Sequence, residues 1–125
     1  MQAILATALS IGVMDAMWLT HRYNYHNALF QSVQKSKLEV RIVPAIMIYI
    51  LLPYAVYIWA VQGKQSIMHA ASNGALVGLI MYGFYDLTNY ATFTNWTLEM
   101  ALTDTLWGVI VCTIGAAIGF YFRTK

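Results

Sequence analysis

The sequence predicts an all-α integral membrane protein, a four-transmembrane-helix bundle, because of its composition and the spacing of its apolar runs. Hydrophobic residues make up 60% of the 125 residues, charged residues make up 10%, and the mean hydropathy is +0.59. A soluble domain normally carries about a quarter charged residues, so this apolar excess needs lipid around it. Since roughly 20 apolar residues cross a bilayer core, four spans fit, at about 2–20, 42–61, 68–91 and 98–122.

These spans occupy most of residues 1–125, which predicts a single transmembrane domain with short connections. The first span lacks a basic leader and contains Asp15, so we interpret it as a retained helix rather than a cleaved signal. The segment between the first two spans is the longest polar one, and Tyr25, Leu29 and Val33 recur in it at helical spacing. It is therefore either a short interfacial helix or a solvated loop.

Proline and glycine indicate how the spans are shaped and packed. Pro44 lies in the first turn of the second span, where it does no harm, and Pro53 lies at its middle, which predicts a bend. Small residues four apart occur in each of the last two spans: Gly74 and Gly78, then Gly115 and Gly119. Such pairs let helices approach closely in lipid, either within one chain or in a homo-oligomer.

Three aspartates lie inside the apolar spans: Asp15, Asp86 and Asp104. A carboxylate in hydrocarbon costs roughly 2.5 to 3.5 kcal/mol on insertion scales, so each needs a partner or a function. Counted from the face shared by the first and third loops, the three acids lie about four to six residues deep, within about one helical turn of each other. Helical periodicity places each on or beside a packing face, whereas Glu99 projects from the opposite side of its span.

An indole follows two of these acids by one helical turn, Trp18 after Asp15 and Trp107 after Asp104. A carboxylate beside an aromatic face suits an organic cation, because ion pairing and cation–π attraction act together. Tryptophan is also common at membrane interfaces, so the same pattern fits ordinary interfacial anchoring.

Other polar residues approach the acidic layer and give two alternatives for its role. Tyr82 and Asn89 lie beside Asp86 on the third span and are candidate hydrogen-bond partners. Arg22 and Arg41 approach the same membrane face and are possible counter-charges, which would make the acids a structural ion-pair cluster. Without such cations, neighbouring carboxylates in a low dielectric cannot all stay ionised, and this is the physical basis for proton chemistry.

Several other chemistries have little support. The histidines, at positions 21, 26 and 69, lack the ligand spacing of zinc or di-iron sites, so we expect neither a metal nor another cofactor. No G-x-S-x-G motif is present, and the single thiol, Cys112, fits a packing role within the fourth span. The net charge of +2, without basic residues clustered among exposed aromatics, argues against a nucleic-acid partner.

Three motifs carry a resemblance to a known family. They are Asp15-Ala-Met-Trp18-Leu19, the stretch from Gly74 to Thr92 that begins GALVG and ends YGFYDLTNYAT, and Trp96 followed by Asp104-Thr-Leu-Trp107-Gly108. On these motifs nearly the whole chain resembles an uncharacterised family of small four-span predicted membrane proteins, catalogued as a domain of unknown function. The resemblance implies a multi-pass integral membrane protein, and it implies no established activity.

Three classes of function remain open. The leading hypothesis is transport or conduction of protons or cations. In it the aspartates bind the ion, Asn89 and Tyr82 are hydrogen-bond partners, and Trp18 and Trp107 form aromatic walls. The second is a structural or accessory subunit whose polar cluster fixes helix register. The third is an interfacial enzyme that modifies a lipid, although the sequence favours a non-enzymatic role. A lipid bilayer is the expected partner in every case, and the sequence does not indicate which membrane.

Overall fold

The computed structural model describes residues 1–123 and contains five α-helices within them. These are α1 (Gln2–His21), α2 (Tyr23–Gln34), α3 (Ile42–Val56), α4 (Ile67–Thr92) and α5 (Leu98–Arg123), and α3 continues as a π-helical turn over Tyr57–Val61. Four stretches are long and apolar enough to cross a membrane: Gln2–His21, Ile42–Val61, Ile67–Thr92 and Leu98–Arg123. The predicted all-α four-helix membrane bundle is confirmed, with α2 as the short helix between the first two spans.

The centre of the bundle is α5, which packs against α4 on one side and α1 on another. At the α4–α5 seam, a Cβ atom added to Gly78 would lie 2.6 Å from the carbonyl carbon of Gly108 and 3.0 Å from Val109 Cα. At the α1–α5 seam, one added to Gly119 would overlap the hydroxyl of Thr7. These glycine faces are therefore filled by helices of the same chain. A contact between copies through the same glycines would require these helices to separate.

The α3 helix is held mainly by its C-terminal half. Val56, Ala60 and Val61 are fully buried, whereas residues 42–51 are exposed except for the half-buried Ala45. Pro53 lies inside the helix, and regular α-helical hydrogen bonding gives way to the π-helical turn four residues later. The rest of the described chain therefore leaves most of the surface of the first half of α3 exposed.

The α2 helix lies over the end of the bundle formed by the α4–α5 loop and the first turns of α5. Its Leu29 is buried against Trp96, Met100 and Ala101. Tyr25, Phe30 and Val33 pack around this cluster, so the stripe predicted from Tyr25, Leu29 and Val33 is the buried side of α2. The interfacial helix, rather than the solvated loop, is the alternative that the structure supports.

Candidate functional site

The antiparallel register of α4 and α5 places Asp86 opposite Asp104. The ring of Tyr82 lies where a Cβ on Gly108 would be, so these two residues face each other across the seam. One helical turn further along α4 is Asp86, and one turn back along α5 is Asp104. Two of the three predicted acids therefore meet, on facing helices.

Asp86 is a fully buried acid with an unusual lack of partners. Its exposed fraction is 0%, and neither carboxyl oxygen accepts a hydrogen bond from any donor within residues 1–123. The side chain that interacts with it is the carboxyl group of the half-buried Asp104. Buried polar atoms in proteins are nearly always paired, so this acid needs an explanation.

Asp15 has a different environment, with a donor for each oxygen. Trp107 Nε1 donates to its Oδ1 at 3.0 Å, and the Tyr49 hydroxyl donates to its Oδ2. Asp15 thereby joins α1, α3 and α5, and both of its hydrogen-bond donors are neutral groups. Tyr49, with an exposed fraction of 38%, lies on the poorly covered half of α3.

Tyr82 and Asn89, the predicted hydrogen-bond partners, take different positions. Tyr82 is half-buried, and its ring lies against Gly108 at the α4–α5 seam. The side chain of Asn89 instead lies beside the Tyr85 hydroxyl, one turn away on α4.

Trp18 and Trp107 stack on each other rather than facing each other across a space. Their ring centroids are 4.8 Å apart and their planes differ by 6°, which leaves no room for a ligand between them. Arg22 lies over the Trp18 ring, 5.5 Å from its centroid, and over Tyr25 at 4.4 Å. The aromatic surface near the acids is thus already occupied by a cation of the same chain.

The two candidate counter-charges do not neutralise the aspartates. Arg22 forms an ion pair with Glu99 at 3.5 Å and donates to Thr103 at 3.4 Å. Arg41 is exposed at the start of α3. Within residues 1–123 the Arg22–Glu99 contact is the one ion pair, so no arginine lies within ion-pair distance of the three acids. The acid that pairs with Arg22 is therefore Glu99, which helical periodicity had placed away from the three aspartates.

Sequence reasoning missed four residues that the structure places at or beside this region: Tyr49, Tyr85, His26 and Glu99. Tyr49 lies four residues before Pro53 in the second span, and no spacing in the sequence associates it with Asp15. His26 precedes Leu29 of the apolar stripe by three residues, and this spacing was a signal that it faces the bundle.

The buried polar atoms without partners lie mostly at this end of the bundle. Within the described chain they are Trp18 Nε1, Trp96 Nε1, Arg22 Nε, both ring nitrogens of His26 and both oxygens of Asp86. Within residues 1–123, no three His, Cys, Asp or Glu side chains are grouped closely enough to hold a metal ion.

Four apolar helices of spanning length, with carboxyl groups held among them, define a multi-pass integral membrane protein. Residues 1–121 match the family model DUF2177, described as a predicted membrane protein, and the chain belongs to this family. No curated protein and no solved structure gives a significant match to the chain.

Proposed function

We propose that this protein transports protons across the membrane and that Asp86 and Asp104 share a proton in doing so. The observation that carries the proposal is the burial of Asp86, without a donor, directly opposite Asp104. Two carboxylates offer only acceptors to each other, whereas a carboxyl and a carboxylate form a strong hydrogen bond. Like charges so close in a low dielectric do not both ionise, so one proton satisfies the pair.

A proton fits this pair better than a metal cation does. Calcium takes six to eight oxygen ligands and magnesium takes six, whereas two carboxyl groups supply at most four. No cationic side chain within residues 1–123 pairs with either acid, so nothing else compensates the charge. A bulky organic cation is also disfavoured, because the Trp18–Trp107 stack is closed and Arg22 covers Trp18.

The half of the bundle that lies away from Asp86 and Asp104 favours a carrier over a continuous channel. There the hydroxyls of Thr7, Ser10 and Thr113 each donate to a carbonyl of their own helix. The glycine seams close the same half by direct backbone packing. Because these hydroxyls bond within their own helices and the glycines pack closely, we expect proton release to the far side to require the helices to rearrange, as in alternating access.

Proton uptake into liposomes containing the purified protein and a trapped pH-sensitive dye tests the proposal. Asp86→Asn and Asp104→Asn should each reduce acid-driven uptake to the rate of empty liposomes, because an amide carries no titratable proton. Glu99→Gln is the matched control, because Glu99 forms an ion pair with Arg22 and is not part of the Asp86–Asp104 pair. Its replacement should preserve uptake. Unchanged uptake in both aspartate variants would reject the proposal.

Carbodiimide labelling provides a readout that does not depend on transport. Dicyclohexylcarbodiimide reacts with protonated carboxyl groups in apolar surroundings. We expect mass spectrometry to find the adduct on Asp86 or Asp104 at neutral pH and to find Glu99 unmodified. Labelling confined to Glu99 would contradict a shared proton at the buried pair.

The contacts of Asp15 favour a second candidate for that residue alone, which is a structural role. Its two hydrogen bonds reach α3 and α5 from α1, as expected of a polar group that fixes helix positions. Asp15→Asn keeps an acceptor and should therefore retain much of the proton uptake, unlike the two variants of the pair.

A further inference from the structure

The α2 helix is short, and at each of its ends the backbone dihedral angles depart from α-helical values. At its start, Arg22 has φ −100° and ψ 14°, which separates α2 from α1. At its end, Lys35 has φ 63°, in the left-handed region. The 12 residues between these points therefore form a helix of their own, distinct from the transmembrane helices.

A few contacts hold this unit on the bundle. Leu29 is 6% exposed in the apolar cluster with Trp96 and Met100. The Tyr25 hydroxyl is hydrogen-bonded to Thr97, and Asn95 Nδ2 donates to the carbonyl of Ser32 at 2.9 Å. These attachments involve the α4–α5 loop and the first turn of α5, so release of α2 would uncover the membrane face nearest Asp104.

His26 is the group in this contact whose charge can change near neutral pH. Its exposed fraction is 6%, and neither ring nitrogen has a hydrogen-bond partner within the described chain. The surrounding rings are those of Trp18, Tyr25 and Phe30, with centroids 6.4, 6.3 and 6.1 Å away. The charged groups that act on it are Asp15 from α1, Asp104 from α5 and Arg22 from the α1–α2 junction.

Burial has the largest effect on this imidazole and lowers the pKa of His26 below its usual 6.5. Asp104 and Asp15 raise the pKa, and Arg22 lowers it, but the net direction is down. A histidine on a released α2 would be solvated and would bind a proton at its ordinary pKa. As the pH falls below about 6.5, the released form therefore gains protons that the docked form does not, and docking weakens.

We infer that α2 is an acid-released cover over the Asp104 end of the site and that His26 is the residue that senses the acid. Because the released form takes up one more proton, the ratio of docked to released protein falls by at most about tenfold per pH unit. This inference does not depend on proton transport, since it concerns only the position of α2.

Distances between spin labels on α2 and on α4 test the inference. Cysteines replace the exposed Ala28 and Met68 in a Cys112→Ala background, and the protein is reconstituted in nanodiscs. We expect one narrow distance distribution at pH 7.5 and a second, broader population at pH 5. In His26→Phe, which stays apolar and aromatic but cannot be charged, the narrow distribution should persist at both pH values.

Two further variants control the test. His21→Gln, at an exposed site on the same membrane face, should respond to pH as the parent protein does. Tyr25→Phe, which loses the hydroxyl bonded to Thr97, should raise the released population at pH 7.5. Identical distributions at both pH values in the parent protein, or an equal response in His26→Phe, would overturn the inference.

Discussion

The close packing of α4 against α5 predicts how the stability of the bundle changes when a Cα hydrogen of Gly78 is replaced by a methyl group. The new methyl carbon would lie 2.6 Å from the carbonyl carbon of Gly108, whereas carbon atoms normally approach to about 3.5 Å. The two backbones would have to separate by about 1 Å along the seam that also carries Asp86 and Asp104. We expect Gly78→Ala to destabilise the bundle for this reason.

The magnitude follows from two opposing effects. Overpacking of a tight contact costs about 1–3 kcal/mol. Alanine recovers up to about 1 kcal/mol relative to glycine, because of its higher helix propensity. Against the parent protein the net loss is therefore about 0–2 kcal/mol, and against Gly12→Ala, which makes the same propensity gain without a clash, it is about 1–3 kcal/mol.

Unfolding in mixed micelles with increasing sodium dodecyl sulfate, followed by circular dichroism, measures this difference. Gly12→Ala is the matched control, because a Cβ at Gly12 would meet no atom within 4 Å. This control should be as stable as the parent protein or slightly more so. If Gly78→Ala unfolds at the same detergent fraction as Gly12→Ala, the close backbone contact between α4 and α5 is wrong.

Three more substitutions probe the contacts around the site in the same unfolding assay or by hydrogen exchange. Trp107→Phe keeps a stacking ring but removes the donor to Asp15, and it should cost about 1–3 kcal/mol; an unchanged midpoint would contradict that bond. Glu99→Gln removes the ion pair with Arg22 and should cost less than about 1 kcal/mol, because the glutamate side chain is 57% exposed; a larger loss would mean that the pair is shielded from solvent. Leu29→Ala removes the main apolar contact of α2 and should speed hydrogen exchange of the α2 backbone amides at pH 7.5. Protection equal to that in the parent protein would refute the packing of Leu29 against the bundle.

The transmembrane helices could be predicted closely because length and hydropathy determine them. The expected spans at about 2–20, 42–61, 68–91 and 98–122 differ from the observed helices only at their ends. Asp86 and Asp104 were expected at one depth and on packing faces, and their juxtaposition follows from the antiparallel register. Depth and angle come from helix geometry, which the sequence encodes locally.

The partners of the acids could not be predicted, because they depend on how helices pack. Spacing associated Trp107 with Asp104, one turn away, but the indole donates to Asp15 on another helix. Periodicity placed Glu99 on the far side of α5, but the long side chain of Arg22 reaches it from the end of α1. Such pairings depend on side-chain reach and on the placement of α2 and α3, which no local pattern contains.

The sparse protein surroundings of the first half of α3 have a consequence for how this molecule responds to its host membrane. The Tyr49 hydroxyl donates to Asp15 from the first half of α3, whose surface the other helices leave mostly exposed. Bilayer thickness and lateral pressure therefore act directly on the geometry of that hydrogen bond. We therefore expect the distance between the Tyr49 hydroxyl and Asp15 to differ between a thin detergent belt and a thick bilayer.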